Sequence, residues 1–233
     1  MATSVSDELN DSTLHYLDVI YRLTLRGDAA NTTEIATRIG VTPSGASVML
    51  KRLADRKLIA LTPYRGALLT ATGTRAALRT IRRHRLLEAF LHDVMKFSWD
   101  EVDVHAHALE TAINEAFEDR MDALLGHPIR CPHGHLIPSK EGVLPQVSDV
   151  PLLDQKAGAH GVVRLVDTDN SDWLRYIAEL GLLPGARVTI KDVAPYGGPI
   201  TLIKEGRIHY RDIPTQQSLE DWNEFWQEYK NAS

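Results

Sequence analysis

Three stretches of the chain set imidazoles and carboxylates one helical turn apart. His15 and Asp18 are separated by three residues, His84 and Glu88 by four, and Asp103, His107 and Glu110 follow at four and three. Side chains at these spacings stack on one face of a helix. Both groups are ligands for first-row divalent cations, so three such helices packed together could surround one. One pair alone fits an ordinary surface or satisfied core histidine, but three together point to metal. Cys131, His133 and His135 add a thiol and two imidazoles in one short loop. That pattern hints at zinc but falls short of its usual four ligands, and it equally fits a proline-rich loop with a buried thiol. A metallohydrolase built on His107 and Glu110 is disfavoured, because the chain has no HExxH, nucleophile elbow or glycine-rich phosphate loop.

Helices must carry these residues, and the periodicity supplies them. Leu14, Leu17, Ile20, Tyr21 and Leu23 predict a first helix over 12–26, stopped by Gly27. A short helix follows from Thr32 as its N-cap to Ile39, closed by Gly40. Thr42-Pro43 then reads as an N-cap with proline at the first helical position, opening a helix to about Arg56 that buries Ala46, Leu50 and Leu53. Residues 58–61 and 67–70 read as strands joined by a hairpin loop. Long helices are expected from Thr74 to about Lys96 and, behind a Ser98/Glu101 capping box, to about Leu125. Gly126 to Val150 carries four prolines and three glycines and reads as loop and linker. Beyond it, strands at 162–166, 187–193, 201–204 and 208–210 and a helix at 173–180 predict a small, mostly β domain. Leu219, Trp222, Phe225, Trp226 and Tyr229 form an amphipathic tail.

Helix, turn, helix and hairpin in that order make a winged helix-turn-helix. Thr42, Pro43, Ser44, Gly45 and Ser47 give the third helix a small, hydroxyl-rich start that suits close approach to DNA. Lys51 and Arg52 would meet the backbone, and Arg65 at the hairpin tip would reach a phosphate or a narrow minor groove. The net charge of −5 hides an asymmetry: residues 34–85 hold eleven Lys and Arg against two acids, a balance of +9, leaving −14 on the other 181 residues. A polyanion would thus meet a basic module on an acidic body. At 43% apolar, the chain is too hydrophobic to remain disordered, and no apolar run reaches the ~18 residues of a membrane helix. The acidic N-terminus is unlike a signal peptide. A single cysteine allows no internal disulfide and fits a reducing cytoplasm.

The sequence resembles the metal-dependent transcriptional regulators of the diphtheria toxin repressor and manganese transport regulator (DtxR/MntR) family, on its manganese side. His15-Tyr-Leu-Asp-Val-Ile-Tyr21, Thr42-Pro-Ser-Gly-Ala-Ser47, Leu69-Thr-Ala-Thr-Gly73, Arg83-His-Arg-Leu-Leu-Glu88, Cys131-Pro-His-Gly-His-Leu-Ile-Pro138 and Gly181-Leu-Leu-Pro-Gly185 carry the likeness, in the family's order. It implies a mainly α protein with small β parts: a winged helix (1–73), a helical dimerisation and metal-binding domain (74–145), a linker (146–160), an SH3-like FeoA-type domain (161–214) and a C-terminal helix (215–233). It also implies a non-enzymatic homodimer that binds a palindromic double-stranded operator when Mn(II) or Fe(II) is present, as a repressor of metal-uptake genes. A metal-independent winged-helix regulator is the alternative. By position, the primary metal site would comprise His15, Asp18, His107 and Glu110. Many relatives have histidine after that glutamate, where this chain has Thr111, so water, a shared His84 or a weaker site must make up the difference. A second site would draw on His84, Glu88 and Asp103, or on Glu88 with Cys131, His133 and an acid, Asp172 or Asp169, of the C-terminal domain. A primary set without sulfur is hard in character and favours Mn(II) over Fe(II).

Overall fold

A computed structural model describes residues 9–25, 27–62, 65–168, 170–195 and 199–204, together with the backbone of 207–209. The chain forms two compact units, residues 1–146 and 147–233.

The first unit opens with helix α1, Asp11–Thr24, whose N-cap Asn10 accepts from the Thr13 N–H at 3.0 Å. Helix α2, Thr32–Ile39, is capped by Asn31 rather than by the expected Thr32; the Asn31 side chain accepts from Glu34 N–H at 2.7 Å. Gly40 ends α2 in the left-handed region at φ 77°, a conformation glycine adopts without a Cβ penalty. Helix α3, Pro43–Asp55, starts at Thr42, whose hydroxyl accepts from Gly45 N–H at 3.2 Å. As expected, Ala46, Leu50 and Leu53 face inward, meeting Leu17 and Ile20 of α1 and Ile35 of α2 in one apolar core.

Strands β1, Ile59–Thr62, and β2, Gly66–Leu69, pair antiparallel as the wing. Helix α4, Ala71–Asp93, leaves β2 with no linker between them, and the anticipated divide at 73/74 lies within its first turn. Its N-cap Thr70 accepts from Gly73 N–H at 3.1 Å while donating to the Lys57 carbonyl at 2.8 Å. Gly73 is buried so tightly on the wing root that a Cβ there would collide with the Leu58 carbonyl oxygen.

The long helix expected after Ser98 is instead two. Helix α5 spans Val102–Leu109 and α6 spans Glu115–Leu124, because Asn114 interrupts the run and caps α6, accepting from Phe117 N–H at 2.9 Å. Glu101 accepts from Ser98 N–H at 3.3 Å, which is half of the capping box; no side chain caps α5 itself. Val102 and Ala106 of α5 and Met121 of α6 pack on Leu86, Leu87 and Leu91 of α4 in a second core, joined by Cys131 and Ile137.

The segment after α6 is a loop, as expected, but it is pinned to α4. Arg85 donates to the Leu136 carbonyl at 2.5 Å, Arg82 to that of Pro138 at 2.9 Å and Arg79 to that of Lys140 at 3.0 Å. Guanidiniums three residues apart on the helix thus take every second carbonyl of an extended chain. Arg82 also bonds Glu118 and Asp122, each at 2.9 Å, and Arg83 pairs with Glu118 at 3.4 Å. Four of the eleven cations expected to face a polyanion are therefore engaged inside the unit. The reason is physical: each buried carbonyl and carboxylate needs a donor that water cannot supply.

The second unit is a four-stranded antiparallel sheet in the order β3 (His160–Val162), β4 (Arg187–Val193), β5 (Ile200–Lys204), β6 (Arg207–His209), with α7 over Ser171–Glu179. The first strand lies earlier than the anticipated 162–166; past Val162 the chain still bonds to Gly185 and Ala186, but irregularly. Leu174 and Ile177 of α7 are buried, as are Val188, Ile190, Ile200 and Leu202 of β4 and β5. The amphipathic tail at 215–233 falls outside the described residues.

The contact at Gly73 sets the sign of one substitution. Helix propensity alone makes Gly73→Ala stabilising by about 1 kcal/mol, whereas the collision with a backbone oxygen makes it destabilising by about 1–3 kcal/mol. Urea denaturation of the metal-free chain should give a lower midpoint for Gly73→Ala; an unchanged or higher midpoint would show that the wing root yields freely.

Candidate metal centre and reading face

His84 and Glu88, one turn apart on α4, face Asp103 and His107 of α5 and Glu110 at its C-cap. The His84 ring is buried, and both of its nitrogens meet carboxylates. Nδ1 lies 2.9 Å from Glu110 Oε2, while Nε2 lies 3.2 Å from Asp103 Oδ1 and 3.6 Å from Glu88 Oε1. The other Glu110 oxygen reaches His107 Nδ1 at 3.1 Å. Glu88, only 3% exposed, also meets His133 Nδ1 at 3.1 Å, and His133 Nε2–H donates to the Trp99 carbonyl at 2.8 Å. An unbroken polar chain therefore runs from His107 through Glu110, His84 and Glu88 to His133.

Charge in this chain is set by burial against pairing. Burial alone would strip the proton from His84, but the bonds to Asp103, Glu110 and Glu88 override it and hold the imidazolium well above its ordinary range. Burial likewise opposes the charged form of Glu88, yet bonds from His133 and His84 keep this carboxylate well below the usual value. The His84 bond lowers Asp103. His133 rises against its own burial because Glu88 faces it. Burial, with Glu88 beside it, pushes the Cys131 thiol up. His135 is driven the other way, down to about 3, by burial and by Arg85.

Three sets of donor atoms, each within 4.8 Å of one another, occur here among the described residues: His84, His107 and Glu110; His84, Glu88 and Asp103; and Glu88, Cys131 and His133. His84 and Glu88 each belong to two of them. The sets suit divalent cations in chemistry, and the Trp99 carbonyl, by accepting from Nε2–H, turns the Nδ1 edge of His133 toward the shared carboxylate.

Two of the three sets, His84 with Glu88 and Asp103, and Glu88 with Cys131 and His133, are the alternatives the family resemblance implied for a second site, while the expected primary set of His15, Asp18, His107 and Glu110 is only partly assembled. His15 comes alongside, with its ring centroid 5.7 Å from that of His107. Asp18 is not brought into any of the three sets; both of its oxygens accept from Arg22 Nε at 3.1 Å. His84 joins the His107–Glu110 pair as well as the second set, the sharing that the Thr111 position left open. Asp172 lies on α7 of the other unit, paired with Arg175, and Asp169 is outside the described residues. His105 instead makes a tilted ring contact with Phe97, centroids 4.7 Å apart. The Trp99 carbonyl gave no signal in advance, being a backbone group in a loop.

On α3, Ser44, Gly45, Lys51 and Arg52 are exposed, with Thr42 and Pro43 before them, while Ser47 is half-buried. The Thr42 and Ser44 hydroxyls lie 3.1 Å apart. Arg65 is exposed at the wing. Ala30 pairs with Ala67 in an isolated bridge that fastens the wing to the segment before α2.

Comparison with known proteins agrees with this architecture. Residues 8–67 match the iron dependent repressor N-terminal DNA binding domain, 70–139 the iron dependent repressor metal binding and dimerisation domain, and 150–211 the FeoA domain. The chain is 30% identical to the iron-dependent repressor IdeR of Mycobacterium tuberculosis over 86% of its own length and 91% of that protein's. It is 27% identical to the diphtheria toxin repressor of Corynebacterium diphtheriae, over 86% and 92%. A solved manganese-dependent transcriptional repressor in complex with manganese superimposes with a TM-score of 0.79 at 33% identity, covering 87% of this chain and 94% of that one. The donor sets, the winged helix and these likenesses converge: the chain belongs to the DtxR/MntR family of metal-dependent, DNA-binding transcriptional repressors.

Proposed function

We propose that this protein represses metal-uptake genes in the cytoplasm, binding a palindromic operator as a homodimer when Mn(II), in preference to Fe(II), is bound. The observation that carries the reading is the placement of His84, one imidazole shared between two carboxylate-bearing donor sets, with His15 of the first DNA-domain helix beside His107. A divalent cation supplies concentrated positive charge that the donor atoms of α4 and α5 can share. His84, His107 and Glu110 would hold the primary ion with His15 approaching from α1; Asp18 would join only on leaving Arg22. Glu88 with Asp103, or with Cys131 and His133, would hold the second. The sulfur-free primary set supports manganese, as does the likeness to the manganese-bound repressor; the likeness to iron-dependent repressors supports iron.

Thr42, Pro43, Ser44, Gly45, Ser47, Lys51, Arg52 and Arg65 form the proposed DNA contact. Exposed Val104 and Leu109 of α5 and Phe117 and Leu124 of α6 offer apolar surface for a second copy. The domains we assign are 1–73, 74–145 and 161–214, with a linker at 146–160. No helix among the described residues is long and apolar enough to cross a membrane.

His107 and Glu110 link α5 to His15, so His107→Ala should weaken operator binding at limiting Mn(II) at least tenfold with unchanged thermal stability of the metal-free chain. A footprint on the protein's own promoter, titrated with Mn(II), Fe(II) and Zn(II), reads this directly; protection equal to wild type would contradict it. The self-contained pairing of His84 and His133 with Glu88 favours the metal-independent alternative, and operator binding that survives EDTA would establish it. A second measurement follows from the proton balance. The imidazolium of His84 and the thiol of Cys131 must each lose a proton before offering a lone pair. Mn(II) titration at pH 7 in buffers of differing ionisation enthalpy should therefore show net proton release, with apparent affinity rising as pH rises. A heat independent of buffer would sink this assignment. Without metal the sign reverses: the raised His84 value stabilises the fold fully below pH ~6.5, and that contribution is lost as pH climbs through the raised value.

A further inference from the structure

The outer stripe of α3 runs Ser44, Val48, Lys51 and Arg52, Asp55, at successive turns opposite the buried Ala46, Leu50 and Leu53. Val48 is 54% exposed in the middle of it. A hydroxyl precedes it by one turn and two exposed cations follow it by one, so no apolar group of this stripe shields its methyls. Local helix stability does not explain it either, since valine is a poorer helix former than alanine or lysine. Its branched side chain is stiff at χ1 in a helix, which fixes both γ-methyls toward whatever the stripe meets. Gly45 and the short Ser44 side chain leave the preceding turn thin, so Val48 can come close to a flat surface. In the major groove of B-DNA, the apolar group displayed on a base edge is the C5-methyl of thymine.

We propose that Val48 is a specificity-determining residue that reads the C5-methyl of a thymine in each operator half-site. This rests on the proposed function, in which α3 enters the major groove. Ser44 and Val48 are about 6 Å apart along the helix axis, so the thymine lies within about two base-pair steps of the base edge facing Ser44. Lys51 and Arg52 would hold the flanking phosphates and set register without reading sequence.

The test uses duplexes recovered from a random-sequence pool by the full chain at saturating Mn(II). Each thymine of the recovered half-site is replaced singly by deoxyuridine, which removes the methyl and nothing else. At one position, wild type should lose affinity about fourfold per half-site, the equivalent of one buried methyl group at about 0.8 kcal/mol. Val48→Ala should bind the thymine duplex more weakly by a similar factor and be indifferent to deoxyuridine at that position alone. Its salt slope should match that of wild type, because the phosphate contacts remain. The proposal is overturned if no deoxyuridine substitution weakens wild type, or if those that do weaken Val48→Ala equally. If no duplex is enriched from the pool, the DNA-binding reading fails first and takes this inference with it.

Discussion

A carboxylate buried to 3% exposure needs compensating charge, and Glu88 is the group around which the first unit is arranged. It sits on a helix otherwise packed by Leu86, Leu87 and Leu91, where hydration is denied to it. Two imidazoles serve it, one from the same helix and one from the loop after α6, and each meets an oxygen on its far side, Glu110 for His84 and the Trp99 carbonyl for His133. Such a network tolerates little displacement of any member, because a half-satisfied buried ion is costly. The break between α5 and α6 and the fastening of the 136–140 loop to α4 are what bring its distant members within reach. A cation entering this network meets donors already converged, and what it must overcome is the protons that currently hold them together.

The arginines of α4 illustrate why charge counted along a sequence misleads about charge seen by a partner. Arg79, Arg82 and Arg85 recur every three residues and look like a basic helix face, yet each is spent on a backbone carbonyl. Arg83 is divided between Glu118 and the Glu110 carbonyl, where it steadies the C-cap that carries a donor. The other seven of the eleven are all exposed: Lys51 and Arg52 on α3, Arg56 and Lys57 just past its end and Arg65 on the wing, with Arg38 on α2 and Arg75 on α4.

Much of this was legible in the residues. Thr42-Pro43 announced α3 through capping chemistry that operates within four residues, and the one-turn spacing of His84 with Glu88 and of His107 with Glu110 gave their faces. What depended on distant partners was legible only where the family resemblance implied it. Asn114 carries a capping side chain, but the apolar periodicity around it ran on and concealed the break. Asp18 stands in the same one-turn relation to His15 as those pairs do, but in the structure both of its oxygens accept from an arginine four residues later. The sharing of His84 between two sets follows from how α5 lies on α4, which spacing within either helix does not encode. Val48 was passed over because an aliphatic residue in a recognition helix reads as core until its exposure is known.

One feature of the backbone bears on how occupancy of the centre reaches the operator. Helix α4 begins at the wing root, where Gly73 is pressed against Leu58, and continues without interruption to Glu88. Fifteen residues at 1.5 Å each make a stiff lever arm of about 22 Å, so a tilt of about 5° near Glu88 swings its far end by about 2 Å. That is more than half the ~3.4 Å between stacked bases, enough to carry a fingertip from one rung of the duplex toward the next. Such an arm needs no flexible relay between its two ends, because no linker between strand and helix absorbs the swing.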